Sequence, residues 1–387
     1  MNIVSWHSVL TDHQSYTLEA LKQAGNCDLN VYVESLVHVE RQAQGWTNRH
    51  KLLSPESIPK KGWIKFVIQR LRENRNAVHL FGSPFERVKM IITMLIAVTM
   101  GCRVYLISEP YSPISVGYLS DKGRYINWLK AKLRPLLYSV YGVLLSHKID
   151  GVFAISCRAI EQYQSIGFSK EKIFPFGYFV PREKLSHATN PFSESSLAAG
   201  LKIIFIGSLI KRKGLDVLIN AVGKIKNNKL PLTLDVYGYG DPSQYHFDRT
   251  IVKYCGLIPF GSSQSVISKY DVLVLPSRYD GWGVVVNEAL MSGVPVICSN
   301  QVGASSIIKK RQCGSIFESE NVLDLVSKLE NLLESPELLS NMSLMASEAG
   351  ASLSPKVAGR YMLDMINQNT LDSKMLIKDK SPWYDCQ

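Results

Sequence analysis

The chain has 387 residues, of which 46% are hydrophobic and 20% are charged, a balance typical of globular proteins. This length exceeds what one ordinary core accommodates, so we expect two domains. The formal net charge of +11 is uneven, because residues 1–200 carry 24 basic against 15 acidic side chains, whereas residues 201–387 carry 20 against 18. The first half therefore either meets an anionic partner or carries a solvated basic surface.

Seven cysteines are scattered along the chain without a Cys-x-x-Cys pair. Their odd number and spacing predict reduced thiols in a cytosolic protein, not a disulfide framework or a zinc site. The first residues are typical of a strand, so no signal peptide is expected. The longest apolar stretch, 90–107, divides better into a helix, a stop at Gly101 and a strand than into a bilayer-spanning segment.

Strand and helix patterns alternate along the first half, starting with a strand at 2–6, a loop at 7–15 and a helix at 16–23. Further strands are predicted at 29–34, 77–81, 103–108, 151–156 and 172–176, and further helices at 63–73, 87–100, 122–145 and 158–166. Residues 41–60 are polar and irregular, and residues 181–200 have the composition of a linker.

The alternation of strand and helix patterns starts again in the second half of the chain. Its strands are predicted at 202–207, 232–237, 253–257, 271–275, 295–299 and 314–317, and its helices at 215–225, 263–269, 284–292, 322–334, 336–349 and 355–367. This order predicts an α/β fold with mostly parallel sheets that are covered on both faces. Ligands of such sheets bind outside the carboxyl ends of the strands, so the chemistry is expected on the loops that follow strands.

The most informative segment follows the predicted strand at 271–275. Asp280 lies there in a loop with Gly281 and Gly283, and Glu288 lies about one turn into the next helix. Glycines let a ligand approach the backbone, and a helix N-terminus offers unpaired N–H groups to an anion. Carboxylates accept paired hydrogen bonds from the adjacent hydroxyls of a ribose or a hexose. An ordinary glycine loop followed by a surface Glu is the alternative.

This segment resembles the Glu-x7-Glu signature of family-4 retaining glycosyltransferases of the GT-B fold. The other motifs of that family occur in the same order, as Gly207 with Lys213-Gly214, Gly238-Tyr239-Gly240-Asp241, Gly256-Leu257-Ile258-Pro259, the carboxylate pair, and Gly293-Val294-Pro295-Val296-Ile297. The resemblance covers 200–315 closely and the whole chain loosely.

The resemblance implies two Rossmann-like parallel-sheet domains facing across a cleft, with a C-terminal helix that crosses back to the first domain. The expected organisation is an acceptor-binding domain at 1–180, a linker at 181–200, a donor-nucleotide-binding domain at 201–354, and a C-terminal helix and tail at 355–387.

Four residues form the expected catalytic group, and the resemblance assigns three of them. Glu288 matches the Glu that binds the donor ribose, and Asp280, one methylene shorter than the usual Glu, matches the residue beside the transferred sugar. Lys213 matches a lysine near the donor diphosphate. Ser208 stands where the family usually has Arg, so we expect Arg212 to supply that charge. The alternatives are a helix cap for Asp280 and a solvated basic loop for the cations.

Further donor contacts are expected in the segments that follow the strands, from small residues or through backbone groups. They are Gly207, Ser208, Gly238, Leu257, Ile258, Gly281, Trp282, Gly283 and Val284. On the acceptor side, His7, His13 and Gln14 lie in the predicted loop after the first strand. Glu109 follows the strand at 103–108, where many family members carry a site His. Ordinary solvated loop residues are the alternative for these four.

The resemblance implies transfer of a hexosyl or related sugar from a nucleoside diphosphate sugar to an acceptor hydroxyl with retention, in cell-surface polysaccharide or lipopolysaccharide synthesis. It implies no cofactor and no metal, because cations and helix N-termini stabilise the diphosphate in such enzymes. The expected partners are the nucleotide-sugar donor and a glycan or lipid-linked glycan acceptor, with no nucleic acid. A sugar-nucleotide epimerase, a phosphorylase and an inactive sugar-binding homologue are the alternatives.

Two basic helices account for the charge of the first half. One spans about 60–75, and the other contains Lys122, Arg124, Trp128, Lys130, Lys132 and Arg134, with leucines between them. Basic faces with Trp and Leu opposite suit anionic lipid headgroups, so weak peripheral membrane binding is expected, at the inner face of the membrane for a cytoplasmic protein. Ordinary amphipathic helices packed on the sheet are the alternative.

Overall fold

The computed structural model describes residues 1–36, 53–82, 85, 87–113, 125–183, 200–225, 231–246, 248–259, 261–368 and 381–386. The chain divides into two compact units. One comprises Met1–Tyr111, Leu133–Val180 and Pro355–Gln387, and the other comprises Ser112–Lys132 and Pro181–Ser354. Most of the predicted linker at 181–200 lies outside the described residues, as do Lys122 and Arg124 of the second basic helix.

The first unit is built on a seven-stranded sheet in the order β3-β2-β1-β4-β5-β6-β7, and its paired strands are parallel. Its strands are β1 (Asn2–His7), β2 (Asp28–Val33), β3 (Glu56–Ser57), β4 (Val78–Gly82), β5 (Arg103–Ser108), β6 (Gly151–Ile155) and β7 (Ile173–Phe176). Its first helices are α1 (Asp12–Gly25), α2 (Trp63–Glu73), α3 (Val88–Thr99), α4 (Tyr125–Leu145), of which Leu133–Leu145 belong to this unit, and α5 (Cys157–Ser165). Every residue of β4 and β6 is buried, as expected for strands covered on both faces.

The second unit is built on a six-stranded parallel sheet in the order β10-β9-β8-β11-β12-β13. Its strands are β8 (Leu201–Ile206), β9 (Leu232–Tyr237), β10 (Val252–Gly256), β11 (Val272–Leu275), β12 (Val296–Ser299) and β13 (Gly314–Phe317). Its helices are α6 (Leu215–Lys224), α7 (Ser263–Ile267), α8 (Val284–Met291), α9 (Ser305–Arg311), α10 (Val322–Glu334) and α11 (Pro336–Ser352). The strand order reverses between β8 and β11, which is where open parallel sheets bind ligands.

The last helix, α12 (Pro355–Gln368), packs on α1 and so returns to the first unit, as predicted. The backbones of the two helices are in close contact at Gly359, where any side chain would clash with the backbone of Ala20 and Leu21. The fold class is therefore confirmed as α/β with two Rossmann-like parallel-sheet units.

The prediction of reduced cysteines is wrong for one pair. Cys157, at the start of α5, forms a disulfide with Cys386, although 229 positions separate them in the sequence. The C-terminal tail brings Cys386 there, because Trp383 and Tyr384 are fully buried in the first unit. The Tyr384 hydroxyl donates to the carbonyl oxygen of Phe176 at 2.6 Å. The spacing of the cysteines in the sequence does not indicate that the C-terminal tail packs on the first unit.

The structure also corrects the start of α1, which begins at Asp12 and not at residue 16. The Gln14 side chain accepts a hydrogen bond from the backbone N–H of Thr11 at 3.1 Å, which satisfies an amide that has no partner in the first turn. The short elements β3 and α9, which are two and seven residues long, were not predicted.

Candidate functional site

Two loops meet at the strand reversal of the second unit. One follows β8 and contains a short 3-10 helix, Lys211–Lys213, and the other follows β11 and leads into α8. Gly214 ends the first loop with a φ of 71°, and a side chain there would clash with the carbonyl oxygen of Pro276 in the second. Glycine is therefore required for the two loops to touch.

The contact between these loops joins two of the predicted catalytic residues. The Lys213 ammonium lies 2.5 Å from the Asp280 carboxylate, and their side chains are only 18% and 10% exposed. Asp280 does not cap α8, because the N-cap position is occupied by Gly283. The backbone of Asp280 is held instead by Gln301, whose carbonyl oxygen accepts from the Asp280 amide at 3.1 Å. A cation and an anion thus face each other at the carboxyl end of the sheet.

Glu288 is the fifth residue of α8 and is half-buried. Its Oε1 accepts a hydrogen bond from the Ser263 hydroxyl at 2.7 Å. Burial raises the pKa of Glu288 to about 7, the Ser263 hydrogen bond acts in the opposite direction, and the charge of Glu183 raises the pKa further. The carboxyl group therefore changes charge near neutral pH, and a ligand that donates hydrogen bonds to it would favour the ionised form.

The proposed substitute cation, Arg212, is also tied to the second loop. Its Nη1 donates to the carbonyl oxygen of Tyr279 at 3.0 Å, and its own carbonyl oxygen accepts from the Arg278 amide at 2.8 Å. Ser208, at the position where the family usually has Arg, is half-buried in the same loop as Arg212. The structure therefore brings Arg212 to the junction that Lys213 and Asp280 form.

The remaining donor-side positions surround this junction within the second unit. A side chain on Gly238 would clash with the carbonyl oxygen of Gly207, so the ends of β8 and β9 approach closely. Leu257, 52% exposed, and the half-buried Ile258 follow β10.

The loop before α8 completes the predicted donor set. Gly281 and Gly283 are buried, Gly283 with a φ of 91°, and Val284 is the half-buried first residue of the helix. The Trp282 ring is only 1% exposed, and its Nε1–H donates to Asn287 at 3.0 Å, so this ring belongs to the core of the unit.

The four predicted acceptor-side residues lie in the first unit, and Glu109 follows its strand as expected, but the other three are not in the loop predicted for them. His7 is the last residue of β1, with its Nε2 2.7 Å from the Ser5 hydroxyl. His13 and Gln14 belong to the first turn of α1. The His13 ring packs on Tyr178 with centroids 4.0 Å apart. Glu109 is half-buried directly after β5.

Comparison with known proteins connects this geometry to a family. Residues 189–348 match the family model described as glycosyl transferases group 1. This segment is similar to group 1 glycosyl transferases. The narrower assignment to family 4 stays a prediction.

Solved structures extend the likeness to the whole fold. The crystal structure of Anabaena Alr3699/HepE in complex with UDP is similar over 95% of this chain and 100% of its own, with a TM-score of 0.69 and 12% identity. The lipopolysaccharide outer core galactosyltransferase WaaB is similar over 95% of this chain and 99% of its own, with a TM-score of 0.66 and 14% identity. At these identities the likeness shows the fold alone, and that fold is GT-B.

Similarity to curated proteins is partial. A glycogen synthase of Mycobacterium tuberculosis is 23% identical over 234 residues, which are 58% of this chain and 55% of that protein. The match therefore spans about half the length of this relative.

One residue of the glycosyl transferase segment was missed by the sequence analysis. Arg278, only 7% exposed, donates from Nη1 to the carbonyl oxygen of Lys211 at 2.6 Å. Its guanidinium also binds both carboxylate oxygens of Asp216, at 2.8 and 2.7 Å, and Glu320 at 2.8 Å. Arg278 therefore links the loop that carries Lys213 to the loop that carries Asp280. An Arg three residues after the end of the buried strand β11 was the available signal.

Replacing Arg278 by Met is expected to lower the free energy of unfolding by about 1.5–3 kcal/mol, because charge-assisted hydrogen bonds from a buried group are lost. Urea unfolding would measure this loss. The matched control is Arg360→Met on α12, where an exposed ion pair with Asp364 is removed. That control should cost at most about 1 kcal/mol. Equal losses in the two variants would contradict the linking role of Arg278.

The part of the chain that the structure describes lacks two kinds of feature. There, no group of three or more His, Cys, Asp and Glu side chains is arranged to hold a metal ion. Within the same residues, no helix combines the length and the apolar character needed to cross a bilayer.

Proposed function

We propose that this chain transfers a hexosyl or related sugar from a nucleoside diphosphate sugar to a hydroxyl of a glycan or lipid-linked glycan, with retention of anomeric configuration. The setting we propose is the assembly of cell-surface polysaccharide or lipopolysaccharide, in the cytoplasm. One observation carries the proposal. The Lys213 loop meets the Asp280 loop at the strand reversal of a parallel sheet, inside a glycosyl transferase segment.

In this proposal the leaving diphosphate is stabilised by charges of the protein and needs no metal or cofactor. Lys213 supplies a fixed cation, and the N-terminus of α8 supplies unpaired backbone N–H groups. Both act in a partly buried site, where the charge that develops on the leaving group is stabilised more strongly than in water.

In this proposal, donor binding breaks the Lys213–Asp280 ion pair, and each side chain then contacts a different part of the donor. A diphosphate that approaches Lys213 competes with the Asp280 carboxylate for the ammonium group. Asp280 then accepts hydrogen bonds from hydroxyls of the transferred sugar, which would help to orient the anomeric carbon. Glu288 accepts from the ribose hydroxyls in the same way, once it is ionised.

Solved neighbours support this class of donor. The Anabaena HepE structures were obtained with UDP and with UDP-glucose, and their fold covers nearly all of this chain. We therefore place uridine diphosphate sugars first among the donors to be tested.

A screen of nucleoside diphosphate sugars tests the proposal. Thermal unfolding of the full chain would find the donors that stabilise it, and each hit would then be incubated with glycolipid acceptors from a bacterial membrane extract. We expect release of the nucleoside diphosphate that depends on the acceptor, and an NMR spectrum showing that the product retains the anomeric configuration of the donor sugar. An epimerised donor without an acceptor would indicate an epimerase. Donor binding without any turnover would indicate a sugar-binding homologue.

A further inference from the structure

The disulfide between Cys157 and Cys386 lies where solvent reaches the C-terminal tail. Both of its cysteines are half-exposed, whereas Trp383 and Tyr384, close by in the same tail, are fully buried. Exposed disulfides are the labile ones, because a small thiol can approach one of their sulfur atoms. The position of this bond therefore makes it accessible to a thiol reductant while the rest of the tail stays packed.

The five other cysteines compete poorly for this chemistry. Burial raises the pKa of four of these thiols, so little of the reactive thiolate forms at them. The four are Cys27, Cys102, Cys298 and Cys313, and all of them are buried. The fifth, Cys255, is half-exposed, and its pKa is also raised by burial. Thiol–disulfide exchange in the folded protein is therefore directed to Cys157 and Cys386.

Helix α5 favours attack at one of the two sulfur atoms. Cys157 is the first residue of this helix, and a helix N-terminus stabilises a thiolate, so Cys157 is the better leaving group. A glutathione thiolate that attacks Sγ of Cys386 forms a mixed disulfide there and releases the thiolate of Cys157. A second glutathione thiolate then attacks the glutathione sulfur of the mixed disulfide and releases Cys386. Two glutathione molecules are oxidised to glutathione disulfide, and the protein disulfide is reduced to two thiols.

The disulfide holds a non-covalent anchor in place. The Tyr384 hydroxyl accepts hydrogen bonds from the backbone amides of Ser156 and Phe176, at 3.1 and 3.0 Å. The Trp383 ring packs on Phe179 with ring centroids 4.5 Å apart. Ser156 directly follows β6, and Phe176 is the last residue of β7. Without the covalent bond, this anchor can open as a local unit while the sheet beneath it stays folded.

We propose that the Cys157–Cys386 disulfide is a reversible latch that glutathione opens, and that its reduction loosens the C-terminal tail from the first unit. Disulfides of cytosolic proteins are mostly transient, catalytic or redox-sensing, so the inference takes the cytoplasmic setting from the proposed function. It adds a site of thiol–disulfide exchange that uses no residue of the candidate donor site.

A redox titration of the folded full chain tests the latch. The protein is equilibrated with mixtures of reduced and oxidised glutathione, its thiols are alkylated, and mass spectrometry of the peptides gives the state of each cysteine. We expect millimolar reduced glutathione to open the bond and oxidised glutathione to restore it. The proposal is overturned if the bond stays closed in reduced glutathione until a denaturant is added, or if Cys157 and Cys386 do not pair in oxidised glutathione.

Amide hydrogen exchange measures whether reduction loosens the tail. In the reduced protein and in Cys386→Ser, peptides that contain Ser156 and Phe176 should exchange about tenfold faster than in the oxidised protein, because the anchor on these amides opens. The midpoint of thermal unfolding should also fall by about 5–10 °C.

The matched control is Cys255→Ser, which removes a half-exposed thiol that is not part of the disulfide. This variant should respond to reduced glutathione as the wild type does. Equal exchange rates in oxidised wild type, reduced wild type and Cys386→Ser would overturn the loosening of the tail. Neither measurement uses a donor or an acceptor, so failure of the latch and failure of the proposed transfer reaction are distinguishable.

Discussion

Replacement of Lys213 by Met is expected to lower kcat by about 10²- to 10³-fold, because the fixed cation that stabilises the departing diphosphate is lost. Methionine retains the unbranched apolar part of the side chain, so the change removes mainly the charge. The ammonium group lies 2.5 Å from Asp280 at the junction of the two site loops, where solvent screening is reduced. Initial rates of nucleoside diphosphate release at saturating donor would measure the effect.

Two companion variants make this result specific. Lys224→Met removes the same charge from the exposed last turn of α6 and should leave kcat unchanged. Lys213→Arg retains the charge and should preserve more activity than Lys213→Met. A kcat for Lys213→Met within about threefold of the wild type, measured on folded protein, would remove Lys213 from the catalytic group, since a lost oxyanion-type contact costs far more.

Replacement of Glu288 by Gln is expected to lower kcat/KM by about 10- to 100-fold, the cost of losing a charged hydrogen-bond acceptor for the ribose. The same replacement should also remove the pH dependence of the affinity for the nucleotide sugar. The pKa of Glu288 is raised to about 7 by burial, so the carboxyl group becomes protonated as the pH falls through that value. Affinity of the wild type for a nucleotide sugar should therefore fall as the pH is lowered from 8 to 6. The affinity of Glu288→Gln should stay level.

Isothermal titration with an intact nucleotide sugar would check this dependence, because its diphosphate is esterified at both ends and does not titrate in this range. The control is Glu334→Gln, an exposed carboxyl group at the end of α10, whose affinity should follow the wild type at each pH. If Glu288→Gln shows the same pH dependence as the wild type, another group is responsible for it.

The meeting of the candidate donor-side residues was predictable because they follow consecutive strands of one parallel sheet. Glycines at strand ends, a basic loop after β8 and a carboxylate pair around α8 are local patterns that sequence displays directly. Parallel topology then places the ends of neighbouring strands at one edge, so Lys213 and Asp280 meet although 67 positions separate them.

The features that were missed depend on tertiary packing. Arg278 was overlooked because its partners come from three separate segments, at Lys211, Asp216 and Glu320. The disulfide between Cys157 and Cys386 was missed because it depends on the return of the tail, which Trp383 and Tyr384 anchor. The loop predicted at 7–15 was too long because one cap, Gln14 on Thr11, extends α1 by a turn.

The return of α12 and the tail to the first unit has a consequence for biosynthesis. The N-terminal strands leave the ribosome first, yet the partner of α1 is encoded after residue 354. The second unit has by then been synthesised in full and can fold before the first is complete, reversing the order expected for chains whose domains fold as they emerge. Until translation reaches the last residues, the nascent N-terminal unit exposes the apolar surface that α12, Trp383 and Tyr384 later cover, and chaperones would recognise it there.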